Sequence, residues 1–481
     1  MTTSNYETIV IGAGSGGLTV AIGLAGLGRR VALVEGRHVG GDCTNVGCIP
    51  SKTLIHLADE RGGPENPLPL VQTKRNALRE QETEHVRATP NLELINGWAR
   101  FVGPKRLEVT EADGTRRELA AANIVVATGS RPRTLDIPGL PAERVLTNES
   151  VFELAEPPRH LVIIGSGVIG MELAFAFHKL GTRVTVVTTS QRVLASAIPE
   201  ASEALLHALD DRGIAVYTRA RAEGYDQERE TLRVRAGDQS VVLEGVDRVL
   251  LAIGRERTLD GLDLGRSGVA AGREGVKVDS FGQTNVPGVF AIGDVTPTSH
   301  YTHSANAQGR RVVQRIAFPL LPARGPEPLY PSAIFSDPEV ASVGLTPEQI
   351  ARRFHPSLVR RLRVELRDID RGYTDGVRHG FVIVDAVRLT GRILSATIVG
   401  PRASEMISFF TLAISAGISL FRLYRLVYPY PTYSGAIQKV ADAFVRETLP
   451  HLPRELRAYL RYRLARPEKQ AEETRQLVPN A

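Results

Sequence analysis

Residues 40–52 read Gly40-Gly41-Asp42-Cys43-Thr44-Asn45-Val46-Gly47-Cys48-Ile49-Pro50-Ser51-Lys52 and contain both cysteines of the 481-residue chain. Five residues of uninterrupted helix rise about 7.5 Å, which exceeds the usual Cα separation across a disulfide, about 4.4–6.8 Å. Gly47 and Pro50 argue against one regular helix, so we expect Cys43 in a turn ahead of the helix. Such a pair can close into a small ring and open on reduction. The alternative is two ordinary buried thiols.

A glycine-rich turn between two apolar runs precedes this stretch. The runs are residues 6–11 and 31–34, and Glu35 follows the second of them. The glycines of the turn have the spacing G-x-G-x-x-G and are Gly12, Gly14 and Gly17. Glycines let a backbone approach a pyrophosphate, a helix N-terminus favours its charge, and the acid binds a ribose diol. The pattern predicts a dinucleotide-binding unit.

The same pattern occurs a second time in the chain. Residues 161–164 form an apolar run, and the glycines after it are Gly165, Gly167 and Gly170. A further strand is predicted at 184–187, and Thr188 stands where Glu35 stands in the first copy. Two dinucleotide sites in tandem imply two cofactors, with electrons passing from one to the other.

The 40–52 stretch resembles the redox-active disulfide of the flavin-dependent pyridine nucleotide–disulfide oxidoreductases, whose pattern is G-G-x-C-x-N-x-G-C-x-P-[ST]-K. This family includes dihydrolipoamide dehydrogenase, glutathione reductase and mercuric reductase. The resemblance implies an α/β fold with two Rossmann-like domains, for FAD and NAD(P), and a C-terminal α+β dimerisation domain. It implies that Cys48 faces the flavin as the charge-transfer thiol, while Cys43 is the outer thiol that meets the substrate. Lys52 would lie near the reactive flavin nitrogen and pair with Glu172.

Further motifs of the family follow in order along the chain. Residues 124–130 match a strand that ends in A-T-G-S, and residues 284–294 match the second flavin motif, T-x-x-P-x-[IV]-[FY]-A-x-G-D. By this resemblance the FAD site comprises Gly12, Gly14, Gly17, Glu35, Gly41, Lys52, Gly97, Ala99, Thr128, Gly129, Ser130, Asp294 and His303. The NAD(P) site comprises Gly165, Gly167, Gly170, Glu172, Thr188, Arg192 and Gly254.

The residue at position 188 bears on which nicotinamide cofactor is used. A carboxylate there favours NADH and repels a 2′-phosphate, whereas the neutral Thr188 does not. Arg192 and Arg183 are near enough in sequence to reach a phosphate, and the alternative is that both are surface arginines. We therefore expect NADPH to be favoured.

The order of motifs predicts a discontinuous first domain. The FAD-binding domain covers 1–148 and 276–328, the NAD(P)-binding domain 149–275, the dimerisation domain 329–448, and a helical extension 449–481. In the family the partner's C-terminal domain completes each active site, so the resemblance implies a homodimer with shared active sites. One apolar face of the extension, expected to pack on the dimer rather than on a membrane, is formed by Leu452, Leu456, Tyr459, Leu460 and Leu464.

The chain departs from the disulfide reductases near the end of the dimerisation domain. Those enzymes carry H-P-T-x-x-E, a histidine oriented by a glutamate that protonates the leaving thiolate. This chain has Tyr430 in place of the histidine and Gly435 in place of the glutamate. Mercuric reductase also has a tyrosine there, which helps to bind the metal. The sequence has no cysteines besides Cys43 and Cys48, so we expect neither the C-terminal cysteine pair nor the N-terminal metal-binding domain of characterised mercuric reductases.

Composition excludes several other classes of protein. The net charge is +6. However, the sequence has no zinc-finger spacing of cysteines and histidines, no helix-turn-helix pattern and no run of basic residues interspersed with aromatic ones. We therefore expect no nucleic-acid partner. We find no apolar signal core, and the longest apolar run, 409–421, is interrupted by Ser415, Gly417 and Ser419. Two cysteines fit a reducing compartment. We therefore predict a cytoplasmic protein without a membrane span.

These observations favour an FAD-dependent NAD(P)H oxidoreductase of the mercuric reductase-like branch. It would act on a soft metal ion or a small electrophile, with a soft-metal substrate meeting Cys43, Cys48 and Tyr430, and no structural metal site is expected. A second interpretation is a disulfide reductase of the dihydrolipoamide dehydrogenase or glutathione reductase kind. A third is a non-catalytic FAD-binding dimer, against which the intact Cys43, Cys48 and Lys52 argue.

Overall fold

The computed structural model describes residues 4–60, 63–297, 301–320 and 329–463. The first elements are β1 (Ser4–Ile11), α1 (Ser15–Gly26), β2 (Val31–Glu35), α2 (Gly41–Asn45), α3 (Cys48–Asp59), α4 (Leu68–Ala88), β3 (Leu92–Gly103), β4 (Arg106–Glu111), β5 (Arg116–Val126), β6 (Ser130–Pro132), β7 (Val145–Leu146) and β8 (His160–Ile164). The next are α5 (Val168–Lys179), β9 (Arg183–Val187), α6 (Pro199–Asp210), β10 (Ala215–Tyr217), β11 (Ala220–Asp226), β12 (Thr231–Ala236), β13 (Gln239–Leu243), β14 (Arg248–Leu251), β15 (Arg255–Arg257), α7 (Leu264–Ser267), β16 (Ala271–Gly272), β17 (Gly275–Val276), β18 (Val289–Ala291) and α8 (Thr302–Ala317). The last are β19 (Ser332–Ile334), β20 (Val340–Gly344), α9 (Pro347–Arg353), β21 (Val359–Glu365), α10 (Asp370–Thr374), β22 (Phe381–Val387), β23 (Ile393–Val399), α11 (Ala403–Ser415), α12 (Leu420–Leu423), α13 (Gly435–Thr448) and α14 (Leu452–Arg463).

The chain forms two compact units. The first comprises Met1–Gly165, Ala176–Val187 and Arg221–Pro328, and the second comprises Ser166–Phe175, Thr188–Ala220 and Leu329–Ala481. In the first unit, five strands run parallel in the order β3-β2-β1-β5-β18. Strand β4 pairs antiparallel with the outer parts of β3 and β5. This is the doubly wound type of sheet, whose strand ends are the usual place for a cofactor.

Strand β1 lies at the centre of this sheet because both of its faces are apolar. Ile9 and Ile11 belong to one core cluster and Val10 belongs to the cluster on the other side. All three are fully or almost fully buried. A strand that is covered on both faces has a continuous apolar sequence rather than an alternating one. The strand predicted at 6–11 is therefore confirmed.

A second parallel sheet of the first unit contains β9, β8, β14 and β7 in that order. Its strands are almost wholly buried, as expected for a parallel sheet. It corresponds to the second copy of the dinucleotide pattern in the sequence. The α/β class with two such sheets agrees with the expected fold.

The redox stretch differs in one respect from the prediction. Cys43 lies inside the short helix α2, and not in a turn. Gly40 and Gly41 both have positive φ values, +93° and +57°, so the chain can turn into the helix immediately before the cysteine. The predicted interruption is confirmed, because α2 ends at Asn45 and α3 begins at Cys48.

The second unit contains an antiparallel sheet in the order β19-β20-β23-β22-β21. Helix α11 packs on β20 and β23, and helix α13 packs on β21 and β22. Their apolar faces form one core cluster, with Phe410 from α11 and Phe444 from α13 fully buried. This α+β arrangement confirms the predicted class of the C-terminal domain. The exact domain boundaries stay predictions.

Helix α14 belongs to the predicted extension. Its Glu455 is buried and accepts hydrogen bonds from Arg360 at 2.7 Å and Arg388 at 3.2 Å. Leu452, Leu456 and Leu460 are each nearly half exposed, Leu464 lies outside the described residues, and packing of this face on a dimer stays a prediction. Within the described ranges, we find no helix that combines the length and apolar character needed to cross a bilayer.

Candidate active site

The redox stretch lies directly against the first glycine turn. A Cβ placed on Gly41 would lie 2.6 Å from the Cα atom of Gly14, so the two backbones touch. The amide of Asn45 donates to the carbonyl oxygens of Val39 and Gly41, at 2.9 and 2.8 Å, and holds the short helix in place. The asparagine and glycines of the motif therefore bring the cysteines to the mouth of the dinucleotide turn.

The thiol of Cys43 in α2 and the thiol of Cys48 at the start of α3 are neighbours. The Cys43 thiol is hydrogen-bonded to Cys48, and Sγ of Cys48 lies 3.3 Å from Oγ1 of Thr302. The hydrogen bond with Cys48 and burial both raise the pKa of Cys43 above its ordinary value.

A cavity of about 500 Å³ opens at the cysteine pair. Its lining consists of Ser15, Cys43, Cys48, Thr302, His303, Asn306, Ala307 and Arg310. Five of these residues belong to α8, at helical spacings that place them on one side. Of this group, the sequence analysis named only His303. The i, i+4, i+8 spacing of Thr302, Asn306 and Arg310 could have indicated the remaining lining residues of α8. This spacing becomes informative only once the structure shows that α8 faces the cysteines.

The first glycine turn has the geometry of a phosphate cradle. Gly12 has φ = +102°, and a Cβ on Gly17 would collide with the carbonyl oxygen of Gly12. Glu35 accepts hydrogen bonds from the backbone N–H groups of Ala13 and Arg37, both at 2.7 Å. Burial raises the pKa of Glu35 in spite of these bonds. An open turn before a helix with a fixed carboxylate beside it fits the pyrophosphate and ribose of a dinucleotide.

Asp294 is joined to the A-T-G-S strand end by hydrogen bonds. Ser130 Oγ donates to Asp294 Oδ2 at 2.5 Å, and Arg255 Nε donates to Ser130 Oγ at 2.7 Å. Arg255 also forms an ion pair with Asp42, the residue before Cys43. The guanidinium of Arg255 thus links the redox stretch to the A-T-G-S strand end and, through Ser130, to Asp294. The sequence analysis missed Arg255, because only folding brings position 255 next to position 42.

The other residues assigned to the FAD site lie along the same sheet. Thr128 Oγ1 donates to a backbone carbonyl at 2.6 Å, and Gly129 has φ = +69°. On β3, a Cβ at Gly97 would lie 2.6 Å from the carbonyl oxygen of Thr110, and Ala99 is 9% exposed. Strand β3 is thereby close-packed against β4. Contact of these residues with adenine stays a prediction.

In the second copy of the dinucleotide pattern, Thr188 stands at the position that Glu35 holds in the first copy. Its Oγ1 atom accepts hydrogen bonds from Ser166 Oγ at 3.0 Å and from the N–H group of Ser190 at 3.2 Å. In the first copy, Glu35 bonds to Ala13, which stands between the glycines just as Ser166 does. A neutral pair of hydroxyls has therefore replaced the carboxylate in the second copy.

The glycines of the second copy repeat part of the backbone geometry of the first glycine turn. Gly165 has φ = +112° and Gly254 has φ = +108°, while a Cβ on Gly167 would meet no atom within 4 Å. Gly170 is buried in α5. The guanidinium of Arg192 donates to two backbone carbonyls, both at 3.3 Å. Part of its hydrogen-bonding capacity is thus used within its own loop, and a contact with a 2′-phosphate stays a prediction.

Three further predicted residues have defined surroundings. Lys52 Nζ donates to Ser51 Oγ at 3.3 Å. Glu172 is buried and accepts a hydrogen bond from the N–H group of Phe335 at 3.1 Å. The ring of His303 stacks on Tyr301 with centroids 5.3 Å apart. The expected pairing of Lys52 with Glu172 stays a prediction.

Two tyrosines in the loop before α13 each meet an aspartate. Tyr430 is 80% exposed, and a hydrogen bond to Asp370 raises its pKa. Tyr433 is 8% exposed, and its O–H group donates to Asp375 at 2.7 Å. Burial and this hydrogen bond raise the pKa of Tyr433 to about 12. Both phenols therefore stay protonated at neutral pH.

The chain matches two families over nearly its whole length. Residues 6–309 match the family described as "Pyridine nucleotide-disulphide oxidoreductase", and residues 330–441 match the dimerisation domain of the same family. The chain belongs to the pyridine nucleotide-disulphide oxidoreductase family. Family membership confirms the two dinucleotide-binding domains and the dimerisation domain.

Relatives in this family carry two different names. "Dihydrolipoyl dehydrogenase 3" of Pseudomonas aeruginosa is 34% identical over 464 residues, which are 91% of this chain and 97% of that protein. "Mercuric reductase" of Streptomyces lividans is 32% identical over 467 residues, covering 92% and 97%. A solved structure, the "Cu(II) complex of HOCl-induced flavoprotein disulfide reductase RclA from Escherichia coli", has a TM-score of 0.83 and 26% identity, and covers 92% of this chain and 100% of that chain.

The family assignment fixes the general chemistry. The protein is a flavoprotein oxidoreductase with FAD, a nicotinamide dinucleotide and a redox-active disulfide, and its dimerisation domain supports a homodimer. The glycine turn, Glu35 and the Ser130–Asp294 pair fit such a cofactor, since they form an open cradle with polar groups at its rim. The individual roles of these residues, the preferred nicotinamide and the cytoplasmic location stay predictions.

Proposed function

We propose that this protein passes electrons from NAD(P)H by way of FAD and the Cys43–Cys48 pair to a soft metal ion such as Hg(II), or to a small electrophile. The observation that carries the proposal is the replacement of the histidine and glutamate of H-P-T-x-x-E by Tyr430 and Gly435. A disulfide acceptor expels a thiolate that must be protonated, whereas a metal ion expels none. The proposed acceptor is therefore one that needs no acid at this position.

The surroundings of Tyr430 support this choice. A phenol whose pKa lies above its ordinary value of 10 is a poor proton donor at neutral pH. Its oxygen is nevertheless a possible ligand, and the side chain is 80% exposed. In the proposed homodimer, Tyr430 of the partner subunit would reach the acceptor that is held at the cysteine pair. Mercuric reductase likewise has a tyrosine at this position.

The cysteine pair has the chemistry that such an acceptor requires. Two thiols meet in a cavity of about 500 Å³, and thiolates are soft ligands that suit a soft metal ion. The pair loses two electrons and two protons as it closes to a disulfide, and Hg(II) takes up both electrons to become Hg(0). When bound, FAD supplies the two-electron chemistry that returns the pair to its reduced form. In this scheme Cys43 meets the acceptor and Thr302 positions Cys48 by its 3.3 Å contact.

Reduction of a disulfide is the second candidate function. The similarity to a dihydrolipoyl dehydrogenase, 34% identity over 91% of the chain, favours it. It requires a proton donor other than residue 430. The solved structure of RclA, which is similar over 92% of this chain, is a Cu(II) complex, and this favours a metal acceptor.

A comparison of acceptors tests the proposed function. The wild-type homodimer should reduce Hg(II) or Cu(II) with a kcat/KM at least about 100-fold above that for lipoamide or glutathione disulfide, since the missing general acid is worth about 10²–10⁴-fold. Steady-state oxidation of each nicotinamide with each acceptor gives the values. Rapid turnover of either disulfide, with slow turnover of both metals, would establish the second candidate instead.

NADPH should serve at least as well as NADH, because Thr188 presents no carboxylate to the 2′-phosphate. The variant Thr188→Glu should shift the ratio of kcat/KM values by about tenfold or more towards NADH, as for one added charge repulsion in a partly buried site. Thr188→Val, which removes the hydroxyl without adding charge, is the control and should leave the ratio within about threefold. A strong preference of the wild-type protein for NADH would contradict this interpretation of position 188.

A further inference from the structure

Trp98 is the only tryptophan of the chain and lies on the exposed face of strand β3. Its side chain is 60% exposed, whereas its neighbours Gly97 and Ala99 are buried. Exposure by itself indicates no function, because single apolar side chains are common on protein surfaces. The surroundings of the ring are what distinguish Trp98 from the other exposed apolar residues.

The indole of Trp98 lies directly on the backbone of Gly36. A Cβ atom added to Gly36 would be 2.6 Å from Cδ2 and from Cε2 of Trp98, and 2.9 Å from Cε3. Cδ2 and Cε2 are shared by the two rings, so an atom can come this near to both only over the face of the indole. Carbon atoms pack best at about 3.5–4.0 Å. A side chain at position 36 would therefore displace the ring, and glycine is what lets the indole lie there.

Gly36 stands next to the carboxylate of the first dinucleotide turn. Glu35 is the last residue of β2, and its carboxylate accepts a hydrogen bond at 2.7 Å from the N–H group of Ala13 in the glycine turn. An acid at this position binds the ribose of a dinucleotide. Glu35 is paired with Asn96 across β2 and β3, and Trp98 follows two residues later. The indole is thus at the ribose end of the first dinucleotide site.

We propose that the indole of Trp98 forms the aromatic wall of the adenine subsite for FAD and stacks on the adenine ring. Adenine is the base joined to the ribose that Glu35 would bind. A ring that is covered on one face by Gly36 and is otherwise mostly exposed suits a planar base, because every base has a π-face to stack on. The stacking strengthens the binding of FAD and takes no part in electron transfer, so it is independent of the acceptor that the protein reduces.

Equilibrium dialysis of the full-length protein against a series of FAD concentrations tests this proposal. Trp98→Ala should weaken FAD binding about 5- to 150-fold, the range found when an aromatic side chain that stacks on a base is replaced by alanine. Trp98→Phe keeps an aromatic ring and should retain most of the affinity. Arg100→Ala is the matched control, since Arg100 is exposed on the same face of β3 two residues further on. It should leave the dissociation constant within about twofold, because exposed charges contribute little.

Gly36→Ala tests the same contact from the other side. The three atoms nearest to the added methyl group all belong to Trp98, so this variant should displace the indole and weaken FAD binding in wild-type background. In a Trp98→Ala background it should have no further effect, because no ring is left to displace. Additive losses in the two variants would show that position 36 acts without the indole, and would overturn the proposal.

Fluorescence of the single indole provides a measurement that needs no turnover. Acrylamide should quench the indole less in protein loaded with FAD than in protein from which FAD has been removed, because the bound adenine covers the ring. Equal quenching in the two forms would overturn the proposal, even if Trp98→Ala bound FAD weakly, since the ring would then act without touching the base. Protection that follows the protein concentration and not FAD would also overturn it, since a second copy of the chain would then cover the ring.

Discussion

The double variant Tyr430→His with Gly435→Glu should reduce lipoamide and glutathione disulfide about 10²–10⁴-fold faster than the wild-type protein, the usual contribution of a positioned general acid. Glutamate is sterically allowed at 435, because an added Cβ would meet no atom within 4 Å. The position is also the first residue of α13, where a carboxylate is favoured by the helix dipole. The measurement is kcat/KM for each disulfide.

The single variants decide whether the new residues act as a unit. Tyr430→His alone should recover little, since Gly435 offers no carboxylate to orient the imidazole. Gly435→Gln combined with Tyr430→His is the matched control, which has the same size but no charge. The gain of the double variant should exceed the product of the single gains. Rapid disulfide turnover by the wild-type protein, unchanged in Tyr430→Phe, would contradict both the mechanism and the proposed acceptor.

Cys43→Ser should lower kcat/KM for Hg(II) at least about a thousandfold, as for removal of one member of a group of residues that act together. A serine hydroxyl neither binds a soft metal well nor forms a disulfide with Cys48. Oxidation of NAD(P)H with a quinone should persist, because a quinone can take electrons without the thiols. The assay is steady-state turnover with both acceptors.

Thr44→Ser is a suitable control for the Cys43 variant. Thr44 is buried in the same short helix, and its hydroxyl bonds to Glu82 at 3.2 Å, so the change disturbs α2 without removing a thiol. It should retain most of the activity with Hg(II). If Cys43→Ser reduced Hg(II) as well as Thr44→Ser does, the outer thiol would not be the residue that meets the acceptor.

Sequence alone predicted those parts of the fold that depend on local constraints. Strand β1 was recognisable because both of its faces are apolar, and the turn at Gly12 because its φ of +102° is a conformation that side chains disfavour. The α+β class of the C-terminal domain followed from family resemblance, whereas its antiparallel strand order was not predicted. Helix α2 was missed because a pair of left-handed glycines can begin a helix as well as a turn.

Residues of the site that are distant in sequence could not be predicted. Thr302 touches Cys48 across 254 positions, and Arg255 meets Asp42 across 213 positions. Nothing in the local pattern around these residues marks them as partners, because the contacts exist only after the sheets have assembled. The cysteines and Tyr430 were found because a family motif surrounds each of them.

The buried ion pair of Arg360 and Glu455 ties α14 to strand β21. The helix lies beyond residue 441, where the match to the dimerisation domain ends, yet Glu455 neutralises a guanidinium on β21. An arginine left buried without its partner is destabilising by about 3–5 kcal/mol. A change at Glu455 alone is therefore expected to require a change at Arg360 as well. The two positions are therefore expected to vary together among relatives that carry this helix.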